Sequence, residues 1–356
     1  MFWSTREEYY RQLCEALTAR GVVPILTVSE AIEESVRARL EASGARVIVR
    51  SYHAHPRAYR QHIQSIAREY SVLLAHVRFF DYFTAVFWLC RWSGIRNIWF
   101  TEANSGEWKP RGWRAYAVRL RTKIMCAPVT QVIAISDFIR ARLIDVGFPP
   151  ECTTVVHNGV DLSQYHPEPK APGATPRSVG LIFAAALLTW KRPDVALRVC
   201  AALVTRGIEV RLMLAGDGPL RGELESLAQQ LGIANRVSFL GHQQEMARLY
   251  AGADLFLHTA LGEAFGNVLV EAMACGLPVI ATASGATPEL VVNGESGRLV
   301  PPGPAEVEGL ADAVERVIAD LPRMQSAALQ QAARFPVEAA VRNTLRLYEP
   351  LLKQLA

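Results

Sequence analysis

The 257–289 stretch, LHTALGEAFGNVLVEAMACGLPVIATASGATPE, gathers the residue types best suited to chemistry. It reads as a strand ending at His258, a loop holding Gly262 and Glu263, and a helix starting near residues 265–267 with Glu271 in its second turn. The first turn of a helix presents N–H groups without intrahelical partners and a partial positive charge, so the backbone of Phe265, Gly266 and Asn267 suits a phosphate. Gly266, lacking a Cβ, lets the anion come close. Glu263 and Glu271 would then flank the anion, where carboxylates suit sugar or ribose hydroxyls rather than the phosphate. The pattern asks for a ligand with phosphates in the middle and hydroxyls at both ends. A helical glutamate such as Glu271 taken singly is usually a solvated surface group, and only its context argues otherwise. Lys191 and Arg192, by themselves, read equally as a charged helix start after a strand or as anion ligands.

The elements that must hold these residues alternate regularly. Short apolar, β-branched runs at 179–185, 210–215, 237–240, 255–258, 278–282 and 297–300 predict strands, and stretches of helical spacing at 193–205, 219–231, 244–250, 266–275, 287–292 and 305–319 predict helices between them. Strict alternation of this kind closes into a parallel sheet covered on both faces, a Rossmann-like α/β domain. The first half alternates too, with strands near 22–28, 46–51, 72–76, 97–101 and 131–135. Its first convincing element is a helix over 5–20, so the doubly wound pattern lacks its opening strand; a start codon placed too late would account for that. The segment HPEPKAPGATPR at 166–177 is rich in proline and glycine and reads as the linker. The domains expected are 1–166, 167–334 and a terminal helix over 335–356 crossing back to the first, with Tyr348 and Leu351 packing there.

Glu263 and Glu271, in the context ExFGxxxxEAMAxGxPVIA, resemble the E-x7-E signature of retaining GT-B glycosyltransferases of the GT4 type. The likeness continues through TWKRPD at 189–194, AGDGPLR at 215–221, VSFLGH at 237–242, NGESGRLVPPG at 293–303 and HNGVDLSQYHP at 157–167. The resemblance implies two Rossmann-like domains facing a cleft and transfer of a hexosyl unit from a nucleotide-diphosphate sugar, UDP-linked by default, to a hydroxyl on a glycan, lipid-linked or small acceptor. It implies that Lys191 neutralises the donor diphosphate, Glu263 contacts the donor sugar and Glu271 holds the ribose, with Gly262, Phe265, Gly266 and Asn267 around the donor. No cofactor or metal is implied, since lysine and helix dipole take the metal's place, and no DxD triplet occurs. Ala186 stands where the family usually has an arginine, and Arg192 is the substitute cation; Ala103, in TEANSGE, stands where it often has a histidine, leaving Glu102 and Asn104 as the nearest polar candidates. A GT-B epimerase and a non-catalytic nucleotide-sugar-binding protein are the rival readings.

The remaining features narrow the class. Half the 356 residues are hydrophobic and a fifth charged, which excludes a mainly disordered chain. The net charge of +4 is too small to argue for nucleic acid, but it splits into +8 over 1–150 and −4 over 151–356. Six scattered cysteines without CxxC spacing read as free thiols in a reducing compartment, and the polar, charged start lacks the apolar run of a signal peptide. A cytoplasmic location follows. Gly216, Gly218 and Gly222 do not fit GxGxxG and read as a strand-to-helix turn. His53, His55 and His62 form no ligand set, and His242 is a weak candidate near the base. Segment 109–123, KPRGWRAYAVRLRTK, carries six cations and no acid around Trp113 and Tyr116; it suits an anionic membrane surface, and a solvated helix face accounts for it equally well.

Overall fold

The computed structural model describes residues 5–28, 32–50, 56–78, 84–105, 112–168 and 178–354. The chain divides into two compact units: Met1–Asn104, Trp108–Gly159 and Val337–Ala356 form the first, and Val160–Pro336 with Ser105 the second. The division falls at Gly159 and Pro336. Val160 N–H donates to Phe335 O at 2.9 Å and bridges to Pro336, so residues 160–166 and 335–336, expected outside the second domain, belong to it. The expected linker lies mostly outside the described residues.

Among its described residues the first unit holds six strands, each paired in parallel with its neighbours: β1 Ile25–Val28, β2 Arg46–Val49, β3 Ala75–Arg78, β4 Ile98–Glu102, β5 Gln131–Ala134 and β6 Thr153–Val155. They form a pair, β1-β2, and a sheet in the order β3-β4-β5-β6. Val22 and Val23 do not join β1. The preceding helix, Thr5–Thr18, closes with Gly21 at φ 75° and with Val22 N–H on Leu17 O, and Pro24 has no N–H to offer a ladder. Strand β3 begins at Ala75 rather than at 72, because Asn97 draws the Leu73 carbonyl onto its side-chain amide at 2.9 Å.

Helix Val337–Leu352 belongs to this first unit, as expected for the chain end. Its Val337, Ala340, Val341 and Tyr348 share a core with Tyr9, Leu13, Trp99, Ile133 and Val156, and Leu351 packs against it. Tyr348 stands 5.1 Å edge-on to Trp99, its hydroxyl 2.5 Å from His76 Nδ1, while Tyr9 and Thr344 hydroxyls meet at 2.9 Å. Among the described residues no helix is long and apolar enough to cross a membrane.

The second unit is a single six-stranded parallel sheet of β7 Val179–Ala184, β8 Val210–Ala215, β9 Val237–Gly241, β10 Leu255–His258, β11 Val279–Thr282 and β12 Gly297–Val300, ordered β12-β11-β10-β7-β8-β9. These strands are nearly unbroken apolar runs because helices cover both faces of a parallel sheet. Phe183, Leu212 and Leu255 pack with Leu197, Cys200, Leu224 and Val314 from the helices. The strand order reverses between β7 and β10, and ligands of such sheets sit beyond the carboxyl ends of the two strands at that reversal.

Replacing Tyr348 by Ala removes the ring at the centre of the first unit's core. A loss of about 3 kcal/mol or more is expected in urea unfolding, with the second unit's transition unchanged.

Candidate active site

Strands β7 and β10 end side by side, and the loops that leave them carry the candidate residues. The loop after β7 is fixed first by glycine. A Cβ on Gly216 would lie 1.9 Å from Ala185 O and one on Gly218 2.6 Å from Leu187 O, while Leu187 N–H donates to Asp217 O at 3.0 Å. The AGDGPLR glycines thus permit backbone contact between the β7 and β8 loops, in keeping with the turn expected there.

Beyond this contact the chain makes one 3-10 turn, Thr189–Lys191, latched to the loop after β10. The Thr259 hydroxyl lies 3.0 Å from Lys191 O and 2.7 Å from Arg192 O, and Leu261 N–H donates to Trp190 O at 2.9 Å. These bonds aim the Lys191 ammonium at Glu263. It makes a close ion pair with Glu263 Oε2 and sits 4.1 Å over the Trp190 ring.

Glu263 is held as firmly on its own side. A Cβ on Gly285, at φ 62°, would lie 2.4 Å from both Glu263 N and O; Ala286 N–H donates to Glu263 O at 2.8 Å and Gly262 N–H to Ser284 Oγ at 3.1 Å. Ser105, which packs with this unit, donates to Glu263 Oε1 at 3.0 Å and accepts from Ala264 N–H at 3.0 Å. Burial pushes the Glu263 carboxyl up, but the charge of Lys191 and the hydrogen bonds from Lys191 and Ser105 outweigh it and leave the carboxyl below its ordinary range. His258, fully buried with Nε2 3.7 Å from Glu263 Oε2, is pushed down to about 4, chiefly by burial. It is neutral at pH 7, beside an ionised Lys–Glu pair.

Gly266 takes φ 95° and ψ 62°, and helix Asn267–Ala274 starts from it. A Cβ there would meet Leu269 Cδ1 at 2.8 Å and Glu263 Cγ at 3.2 Å, so glycine brings Glu263 against the helix start. The Phe265 ring is buried 5.9 Å from Phe335, which leaves only its backbone for a ligand. Glu271 is buried on the same helix and accepts from the Tyr250 hydroxyl at 3.5 Å. The structure thus places Lys191 on Glu263, with Gly262, Gly266, Asn267 and Glu271 in the loop after β10 and the helix that follows it.

Arg192 is turned elsewhere. Its two Nη atoms donate to Glu306 Oε1 and Oε2, each at 2.9 Å, and Thr282 Oγ1 donates to Glu306 Oε1 at 2.6 Å. Among the described residues Arg192 is the one non-glycine at positive φ, 54°, and this bidentate pair offsets the strain of that conformation. In the structure it therefore braces the turn that carries Lys191 and faces Glu306, away from the Lys191–Glu263 pair. Glu102 is likewise occupied, 3.3 Å from Arg142 in the first unit and accepting from Asn104 N–H at 2.7 Å. Ser105, one residue beyond the polar candidates read from TEANSGE, is the residue of that segment on Glu263; nothing in its local pattern marks it.

Both halves of the chain resemble known proteins. The family model for Glycosyl transferases group 1 matches residues 168–334, and that for Glycosyltransferase Family 4 matches 7–164. The chain belongs to the GT4-type glycosyltransferase family. A D-inositol 3-phosphate glycosyltransferase of a Mycobacterium species (strain KMS) is 36% identical over 199 residues, 52% of this chain and 44% of that protein. One from Catenulispora acidiphila is 34% identical over 63% of this chain and 57% of its own length. The match thus spans about half the length of these curated relatives. Among solved structures, Anabaena HepE bound to UDP and glucose matches with TM-score 0.77 at 22% identity, over 96% of this chain and 95% of that one. A Rickettsia africae glycosyltransferase matches with TM-score 0.79 at 19% identity, over 98% and 95%. The fold is GT-B.

The buried His258 gives this GT4-type site a measurable acid sensitivity. Because its folded pKa lies below its unfolded value of 6.5, its contribution to stability is complete above that value and is lost as pH falls toward about 4. The depressed Glu263 acts in the same sense at lower pH, below the ordinary carboxylate value of 4.5. Urea midpoints of the second unit should fall between pH 7 and pH 4 in the wild type and fall less steeply in His258→Gln.

Proposed function

We propose that this protein transfers a hexosyl unit from a nucleotide-diphosphate sugar to a hydroxyl acceptor with retention of anomeric configuration. The observation that carries the reading is the Lys191–Glu263 pair set against the glycine-led helix start at Gly266, with Glu271 on the same helix. In that reading the diphosphate takes the Lys191 ammonium from Glu263 and lies over the amides of residues 265–267. The carboxylate released from Lys191 then accepts hydroxyls of the donor sugar, and Glu271 accepts those of the ribose. Glu263 suits an acceptor role because it stays ionised, and His258 adds no positive charge beside it.

Negative charge grows on the nucleoside diphosphate as the glycosidic bond breaks, and the ammonium and helix amides stabilise it where it forms. The chain's own cation and helix start are the groups proposed for that task in place of a metal ion. UDP is the proposed carrier, supported by the UDP held in Anabaena HepE. The acceptor is a hydroxyl on a glycan, a lipid-linked or a small molecule; relatives named for transfer to inositol phosphate support a hydroxyl acceptor in general. A cytoplasmic site of action is proposed from the six free cysteines, five of them buried.

Calorimetry with UDP-, GDP- and ADP-sugars tests the donor. Lys191→Ala should weaken donor binding roughly 10- to 100-fold, the worth of a charge-assisted contact, whereas Arg192→Gly should bind donor nearly as wild type. Glu263→Gln should bind donor and lose turnover by about a hundredfold or more, with wild-type activity unaffected by EDTA and proton NMR showing a product of unchanged anomeric configuration. Failure of all three nucleotide sugars to bind sinks the reading, and donor conversion without any acceptor assigns epimerisation instead.

A further inference from the structure

Of the seven large apolar side chains that stand exposed among the described residues, five lie on two neighbouring helices of the first unit. Trp92 ends helix Val86–Trp92, and Trp113, Tyr116, Leu120 and Ile124 run along helix Trp113–Met125; each is between 50% and 76% exposed. At roughly 100° per residue these last four fall in a single stripe, and Thr122, on the opposite side of the helix, is buried. Arg114 and Arg121 border the stripe on one side and Arg119 and Lys123 on the other, each roughly 80–120° away.

The two helices make one surface. Trp88 donates its indole N–H to Ile124 O at 2.9 Å, and its ring lies 5.7 Å from that of Trp92. Arg119 Nε donates to Asp145 O at 2.7 Å, which fixes its stem on the border. Neither helix carries an acidic residue, and exposed Arg91 and Arg96 extend the positive rim.

Concentrated exposed apolar surface marks an interaction site. The rim decides the occupant. A second copy placed face to face would set arginine against arginine, and like charges across an interface are repulsive. An anionic bilayer meets both demands at once: tryptophan and tyrosine settle at headgroup depth, aliphatic side chains reach the acyl boundary, and the cations stay with lipid phosphates. We propose that these two helices form a face that inserts shallowly into a membrane rich in anionic lipid. The sequence reading of 109–123 already set its cations beside Trp113 and Tyr116 against an anionic surface; the extension of the stripe through Leu120 and Ile124 and the contribution of Trp92 come from the structure, and Lys109 and Arg111 lie outside the described residues. The proposal does not depend on the donor reading, and a lipid-borne acceptor would be presented to the enzyme on this same side of the bilayer.

Vesicle flotation of the full chain tests it, using phosphatidylcholine alone against an equal mixture with phosphatidylglycerol. The wild type should float with the mixed vesicles at low salt and remain below with phosphatidylcholine alone. The charge variant R114E/R121E/K123E should partition at least about tenfold less, as expected for several cations at a charged surface. The stripe variant W113S/Y116S/L120S/I124S keeps every cation; it should lose most flotation and the quenching of tryptophan emission by brominated lipid. Unchanged circular dichroism would show that both variants fold, their substituted positions being exposed. The proposal is overturned if the wild type does not float, or if the stripe variant floats as well as the wild type. A concentration-dependent dimer abolished by the stripe variant, without vesicle binding, overturns it in favour of contact between copies.

Discussion

The ion pair between Lys191 and Glu263 is the contact on which the chemistry proposed for the second unit depends. Both partners are largely withdrawn from water, where two charges attract strongly and an unmatched one is costly. Each therefore needs the other in the absence of ligand, and each becomes available only when something of matching charge replaces its partner. In the proposed reading, a diphosphate for the ammonium and a set of hydroxyls for the carboxylate satisfy that exchange together. The buried imidazole of His258 fits the same logic, since its neutral form leaves the local charge balance to the pair.

Placement of that pair comes from backbone contacts that side chains would prevent. Gly216 and Gly218 let the β8 loop touch the β7 loop, Gly285 lets the chain after β11 close on Glu263, and Gly266 lets the helix start meet it. The switch in strand order between β7 and β10 then brings the two charged loops together without a specialised connection. What distinguishes the site is how tightly these loops are tied to one another, through Thr259, Leu261, Ser284 and Ala286.

The second unit was highly legible because its strands are nearly unbroken apolar runs between helical stretches, so composition alone separates the elements. The first unit was less so. Strand β6 is three residues, TTV, too short to stand out from a loop, and it went unread; β3 was placed early because Val72–Leu74 look as β-prone as the residues that pair. Within the candidate site, the family resemblance singled out Glu263, Glu271 and Lys191, and the structure sets Lys191 on Glu263 and Glu271 on the helix that follows. The true partner of Arg192 was not, since Glu306 lies 114 positions along the chain and nothing near Arg192 announces it. Helix Trp113–Met125 showed its cations in the sequence, but an apolar stripe at helical spacing ordinarily points inward, and only accessibility reveals that this one points out.

The left-handed turn at Arg192 makes the lysine's reach a borrowed property. A glycine in that slot would let the turn hold its shape by itself; an arginine ties the shape to Glu306 at the head of helix Glu306–Ile318 and to Thr282 at the tip of β11. The turn that carries the ammonium thus leans on a helix start 114 positions along the chain, so a substitution there reaches the lysine's support without altering any residue proposed to touch the ligand.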